Sequence, residues 1–173
     1  MPADPQWLSE NEQKAWRALV GATGALMATL DAELQAEHRM SLADYEVLVA
    51  LSEVPDRRLR MSDLAGVLHL SPSGLTRRLD ALTRRGWVQR ERCPSDRRGT
   101  FAVLTDDGYA QLEQAAPTHV RGVRQHLVDR LSPRQLANLA GALGGLAPEW
   151  PPKPGGEGPA DVSGGGGRAR ARR

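Results

Sequence analysis

Apolar residues recur at helical spacings early in the chain: Trp16, Leu19, Leu26, Leu30 and Leu34, with small Ala and Gly between them. That period predicts a helix. Ser9, with Glu12 three residues later, forms a capping box that sets its start. The helix is expected to run to about Glu37 and, being terminal, to pack its uncovered face on another subunit. Ser41 opens a second helix, LADYEVLVALSE, which stops before Pro55. Leu59 to Met61 reads as a short strand, and Ser62 as the cap of a brief helix, DLAGVLHL.

Ser71-Pro72 pairs a capping side chain with proline at the first helical position. The helix it starts runs to Arg85 and stops at Gly86, a residue suited to a left-handed cap. Trp87–Arg92 and Thr100–Leu104 alternate as strands do, joined by a Pro, Ser, Asp and Gly cluster. Thr105 caps the next helix, which Pro117 is expected to kink or split. Ser132-Pro133 repeats the start signal before a last helix ending near Leu146. The expected fold is mainly α with a small β-wing, a winged helix-turn-helix over about 41–105 with flanking dimerisation helices at 7–37 and 106–147. From Pro148 the composition turns to proline, glycine and charge without periodicity, which predicts a disordered tail over 148–173.

Charge changes the picture through its placement. The chain of 173 residues carries a formal net charge of +2. Arg57 to Arg98 holds eleven Arg and four Asp/Glu, a local +7, which leaves −5 for the remainder. An acidic scaffold around a basic centre describes a binding face, and Arg suits bidentate contacts to phosphate and guanine. Cys93 is the single cysteine, so neither an intrachain disulfide nor a thiolate zinc site can form. The acidic, polar N-terminus is unlike a secretory signal, and the uncharged stretch Ala18 to Leu30 is too short to span a bilayer. A cytoplasmic protein without a membrane segment is expected. No paired catalytic carboxylates, activated nucleophile or phosphate-cradling loop appears, so an enzyme is not predicted.

The candidate chemistry lies between Ser71 and Gly99. At about 100° per residue, Leu75, Leu79 and Leu82 form one stripe of the helix. Ser73, Arg77, Asp80 and Arg84 form the opposite stripe, with Gly74 and Thr76 on the flanks. Ser71, Ser73, Gly74 and Thr76 are small or hydroxylated, which lets the backbone approach a major groove and donate to phosphates. Arg77 is the best-placed guanine reader, and Arg78 and Arg84 complete the expected DNA contacts of this helix. The turn between the strands adds Asp96, Arg97 and Arg98, where Asp96 can hold Arg98 in place for the minor groove. The bland alternative, a solvated basic face, loses to the preceding short helix and tight His69-Leu70-Ser71 connection, which frame a helix-turn-helix.

The run LRMSDLAGVLHLSPSGLTRRLDALTRRGWVQRERCPSDRRG, followed by TFAVLTDDG, resembles the winged helix of the MarR family of bacterial transcriptional regulators. The Asp-x-Arg wing motif of that family stands here as Asp96 and Arg98, and the similarity covers about residues 7–147. The resemblance implies a homodimer with interlocking terminal helices that reads a pseudo-palindromic double-stranded DNA operator, with half-site centres about 10–10.5 bp apart. It also implies a repressor relieved by a small aromatic or phenolic effector. Trp16, His38, Met40 and Tyr45 are the candidate pocket residues, although core packing explains Trp16 and Tyr45 as well, and a helix C-terminus explains His38. Cys93, beside Arg92 and near Arg97 and Arg98, is a candidate redox site. Members that sense peroxide place their cysteine near the N-terminus, where this chain has none. His69, His119 and His126 lie on separate segments without a completing carboxylate or thiolate cluster, so neither a metal nor another cofactor is predicted. The alternatives are an accessory or architectural DNA-binding winged helix without sensing, and a redox regulator acting through Cys93.

Overall fold

A computed structural model describes residues 5–93 and 99–146. The wing turn 94–98 and the tail 148–173 lie outside the described residues. Helix α1 (Glu10–His38) begins at the expected capping box: the Glu12 amide donates to Ser9 Oγ and the Ser9 amide to Glu12 Oε2. It ends at Arg39 in the left-handed conformation (φ 52°), whose amide returns to the Gln35 carbonyl at 3.1 Å. That reversal drops Met40 into the core with no exposed surface. Helix α2 (Leu42–Ser52) is capped by Ser41 and is buried along most of its length.

Strand β1 (Arg58–Arg60) leads directly into α3 (Met61–Val67). The sequence places a cap at Ser62, whereas the structure starts α3 at Met61 with Arg60 as its N-cap. The reason is the sheet: Arg60 is still paired with Phe101, so the helix begins where the ladder ends. Ser62 Oγ donates instead to Asp63 Oδ1 at 3.1 Å. Helix α4 (Pro72–Arg84) follows a short turn, and strands β2 (Val88–Arg92) and β3 (Thr100–Leu104) complete an antiparallel sheet in the order β1-β3-β2. Gly86 (φ 75°) makes the left-handed turn between α4 and the hairpin, as its freedom at positive φ allows.

Helix α5 (Asp106–His126) is capped by Thr105 and runs unbroken through Pro117. The expected split does not occur. Leu112 and Ala115 before the proline and Thr118 and Gly122 after it are all buried, so packing on both sides keeps the helix continuous. The carbonyl orphaned by Pro117 belongs to Glu113, on the exposed face where water can satisfy it. Gly108 is required near the start of α5, because a Cβ there would collide with the Trp87 carbonyl oxygen. Helix α6 (Pro133–Gly144) carries the capping box of Ser132 and Gln135.

One core joins α2, α3, α4 and the sheet to the C-terminal half of α1 and to α5, mainly through Leu112 and Ala115. Leu34, Leu48, Leu51, Leu64, Leu79 and Leu82 are wholly buried in it. The N-terminal half of α1 is different: every residue from Asn11 to Ala25 is exposed. No residue of α6 is buried either, although Leu136, Leu139 and Leu143 lie along one side. No helix among the described residues is long and apolar enough to cross a membrane.

Candidate functional site

Helix α4 projects from this core. Ser71 Oγ accepts from the Gly74 amide at 3.1 Å, and the Thr76 hydroxyl donates to the Pro72 carbonyl at 2.8 Å, which tightens the first turn. Leu75, Leu79 and Leu82 anchor the inner stripe at 1% exposure or less. Ser71, Ser73, Thr76, Arg77 and Arg84 are exposed, and Gly74 is half-buried beneath the Ser71 cap. Arg77 and Arg84 form no hydrogen bond or ion pair with another described residue.

The remaining arginines of the basic centre mostly bind the protein itself. Arg78, expected among the DNA contacts, turns toward α2, where Nη1 pairs with Asp44 Oδ1 at 3.1 Å and reaches Ser41 Oγ at 3.5 Å. Arg90 on β2 pairs with Asp80 Oδ1 at 2.9 Å and donates to the Thr76 carbonyl at 3.0 Å, fastening the hairpin to α4. Arg85 donates to the Arg39 carbonyl at 2.8 Å and lies over the Trp87 ring. Arg57 pairs with Asp106 and stacks on Tyr109. Arg58 and Arg60 cover Phe101. The charge pattern in the sequence locates these side chains but does not distinguish a clamp from a groove reader. That distinction needs the distant partner, 34 residues away for Asp44 and Arg78.

At the wing base the Cys93 amide donates to the Gly99 carbonyl at 2.9 Å, which carries the β2–β3 ladder to the edge of the turn. Asp96, Arg97 and Arg98 lie outside the described residues. Cys93 is buried, with Arg60 Nη2 3.5 Å from its sulfur. An oxidant would need the wing base to open to reach it.

A cavity of about 480 Å³ opens between α1, α2, α5 and the turn that joins α3 to α4. Of the four pocket candidates, Tyr45 lines it. Met40 is sealed in the core, and Trp16 is 59% exposed on the uncovered half of α1. His38 belongs to a polar tie between α1 and α5. The Thr118 hydroxyl donates to Glu37 Oε2 at 2.8 Å, so it accepts from His38 Nε2, also at 2.8 Å. Arg121 completes that tie on Glu37, and these hydrogen bonds hold the Glu37 carboxyl below the usual carboxylate range. His126 Nε2 meets Glu33 Oε1 at 2.8 Å one turn along.

Glu46, His69 and His119 also line the cavity, and sequence reasoning did not place them there. His119 stacks on Tyr45 with ring centroids 4.6 Å apart. Burial pushes its imidazole pKa down. Among the described residues no group of three His, Cys, Asp or Glu side chains could hold a metal ion.

Two helices joined by a tight turn, an outward basic face on the second, and a hairpin fastened beside it define a winged helix-turn-helix protein. Comparison with known proteins narrows this class. The family model described as MarR family matches residues 40–100. AbsC, a MarR family transcriptional regulator from Streptomyces coelicolor, is 41% identical, with 82% of this chain and 95% of that one covered and a TM-score of 0.76. Sco3205, a MarR family transcriptional regulator from the same organism solved in complex with DNA, is 43% identical over 83% of this chain and 90% of its own, with a TM-score of 0.78. Multiple antibiotic resistance protein MarR of Salmonella typhimurium is 35% identical over 86 residues, which span 50% of this chain and 60% of that protein. The chain belongs to the MarR family.

Proposed function

We propose that this protein is a DNA-binding transcriptional regulator, not an enzyme, that acts as a homodimer on a pseudo-palindromic operator and represses until a small molecule binds. The observation that carries DNA reading is the outer face of α4, where Arg77 and Arg84 are exposed and bonded to no described residue while Arg78, Arg85 and Arg90 tie the helix to the rest of the fold. Preorganised, unpaired guanidinium groups beside small first-turn residues suit base and phosphate contacts in a major groove. Ser71, Ser73, Gly74 and Thr76 supply the close-approach surface. Asp96, Arg97 and Arg98, which lie between β2 and β3 in the sequence, serve in this reading as the minor-groove contacts. The DNA complex of the similar Sco3205 supports the same assignment.

The uncovered half of α1 and the unburied α6 support a homodimer, because an amphipathic helix without a covering surface leaves its apolar side in water. A dimer seated on promoter DNA excludes other proteins from that stretch, hence repression. The cavity supports relief by a ligand, since its wall includes His69 in the turn that positions α4.

Fluorescence anisotropy with a duplex from the protein's own promoter and a scrambled duplex tests this reading. The expected preference for the promoter is at least about 10³-fold at physiological salt. Equal affinity for both duplexes would instead mark an architectural DNA binder. Arg98→Ala is expected to weaken both duplexes strongly, and unchanged affinity at moderate salt would remove the wing assignment.

A further inference from the structure

The chemistry of the cavity wall restricts what it can hold. Its volume of about 480 Å³ falls in the range of small-molecule pockets. Most of the wall is aliphatic, contributed by α1, α2 and α5, and the Tyr45–His119 stack supplies a flat ring surface. Glu46 is the acidic residue on that wall, and no Lys or Arg among the described residues lines it. Arg78, the guanidinium that acts on Glu46 through space, already pairs with Asp44 and Ser41.

His119 does not reverse this balance. His119 is half-buried beside Tyr45, and burial favours its neutral form. Its Nδ1 is buried without a hydrogen-bond partner among the described residues. His69 lies in the turn before α4 at φ 50°, in the left-handed region where histidine is enriched among non-glycine residues. A carboxylate ligand would therefore enter an apolar site beside a carboxylate with no cation committed to it. A ligand ammonium would meet Glu46 as its counter-ion while its rings cover the aliphatic wall.

We propose that this cavity selects hydrophobic ring compounds bearing a protonated amine over those bearing a carboxylate, with Glu46 as the counter-ion. The proposal deepens the effector reading and rests on it for its biological meaning. Glu46 is exposed as a whole residue, yet partial desolvation of its carboxyl raises the pKa, and a bound ammonium would oppose that rise. Contact with His69 gives the same ligand a route to the α3–α4 turn, hence to the angle at which α4 meets DNA.

Calorimetric titration of the full chain with 1-naphthylmethylamine, 1-naphthalenemethanol and 1-naphthoic acid separates ring burial from charge. The amine is expected to bind at least tenfold more tightly than the acid, with the neutral alcohol between them. Glu46→Gln, a change at an exposed position that leaves the core intact, is expected to reduce amine affinity at least tenfold and leave the alcohol unchanged. Acid binding as tight as amine binding, equal amine affinity in Glu46→Gln, or no binding of any of the three at millimolar concentration would each overturn the proposal. Anisotropy on promoter DNA with and without the amine tests the effector reading separately. Amine binding that leaves DNA affinity unchanged would remove that reading while the charge preference stands.

Discussion

The winged-helix unit and the terminal helices use the same apolar periodicity to different ends. In α4, Leu75, Leu79 and Leu82 find cover within their own chain, where the helix packs on α3 and β2, and are buried. In α6, Leu136, Leu139 and Leu143 show a similar spacing, yet no residue of the helix is buried. The N-terminal half of α1 likewise leaves Trp16, Leu19 and Val20 in the open. An apolar stripe in sequence states that a face seeks cover. Whether the cover comes from the same chain is a property of the fold.

The sharpest way to break this contrast is to charge the uncovered face. Leu136→Asp with Leu139→Asp is expected to give folded monomers by sedimentation and to cut promoter affinity by about 10²–10⁴-fold, because two linked half-site contacts become one. A dimer that survives both changes would place the interface elsewhere. The same kind of insult inside the winged helix should destroy folding instead: Leu79→Ala is expected to cost about 2–5 kcal/mol in denaturant unfolding, with a monomer–dimer balance that follows the folded fraction.

Within α4 the contrast repeats on a smaller scale, between an arginine used by the protein and one proposed to contact DNA. Arg78→Ala is expected to lower stability by about 1.5–3 kcal/mol, since Asp44 loses a charge-assisted partner in a partly buried place. Arg77→Ala is expected to leave the unfolding curve unchanged and to lower discrimination among operator variants by about 1–3 kcal/mol in competition anisotropy. An equal loss on all sequences would make Arg77 a phosphate contact.

The smallest expected effect concerns pH. His119 is held neutral by burial, so its folded pKa lies below the ordinary value of 6.5. The unfolded chain therefore takes up the proton first. This contribution to stability is present above about pH 6.5 and is lost as pH falls from there through the folded pKa. His119→Phe should flatten that portion of the stability–pH curve, and an unaltered slope would show that another group causes it.

Much of the framework was legible in the sequence because it depends on neighbours a few positions apart. Ser9, Ser41, Ser71, Thr105 and Ser132 all cap helices as their local patterns predict. The exceptions arose where tertiary contacts prevailed: Ser62 yielded to the β1 ladder, and Pro117 was held inside α5 by packing on both sides. The cavity was largely illegible. Tyr45 was anticipated, but Glu46, His69 and His119 come from three separated segments that no short-range pattern links. The wing residues Asp96, Arg97 and Arg98 were singled out by type and spacing, and their placement lies outside the described residues.

The sequence by itself determined where most helices start, that a basic centre lies in an otherwise acidic scaffold, and that the chain resembles the MarR family. Caps, turns and charge runs act over one or two helical turns, so order along the chain is enough to express them. Only the tertiary structure decided which arginines clamp the fold, which face outward, and which acidic residue lines the cavity. Those outcomes depend on partners tens of residues away, and a guanidinium is committed or available according to what the fold places within a few ångströms of it.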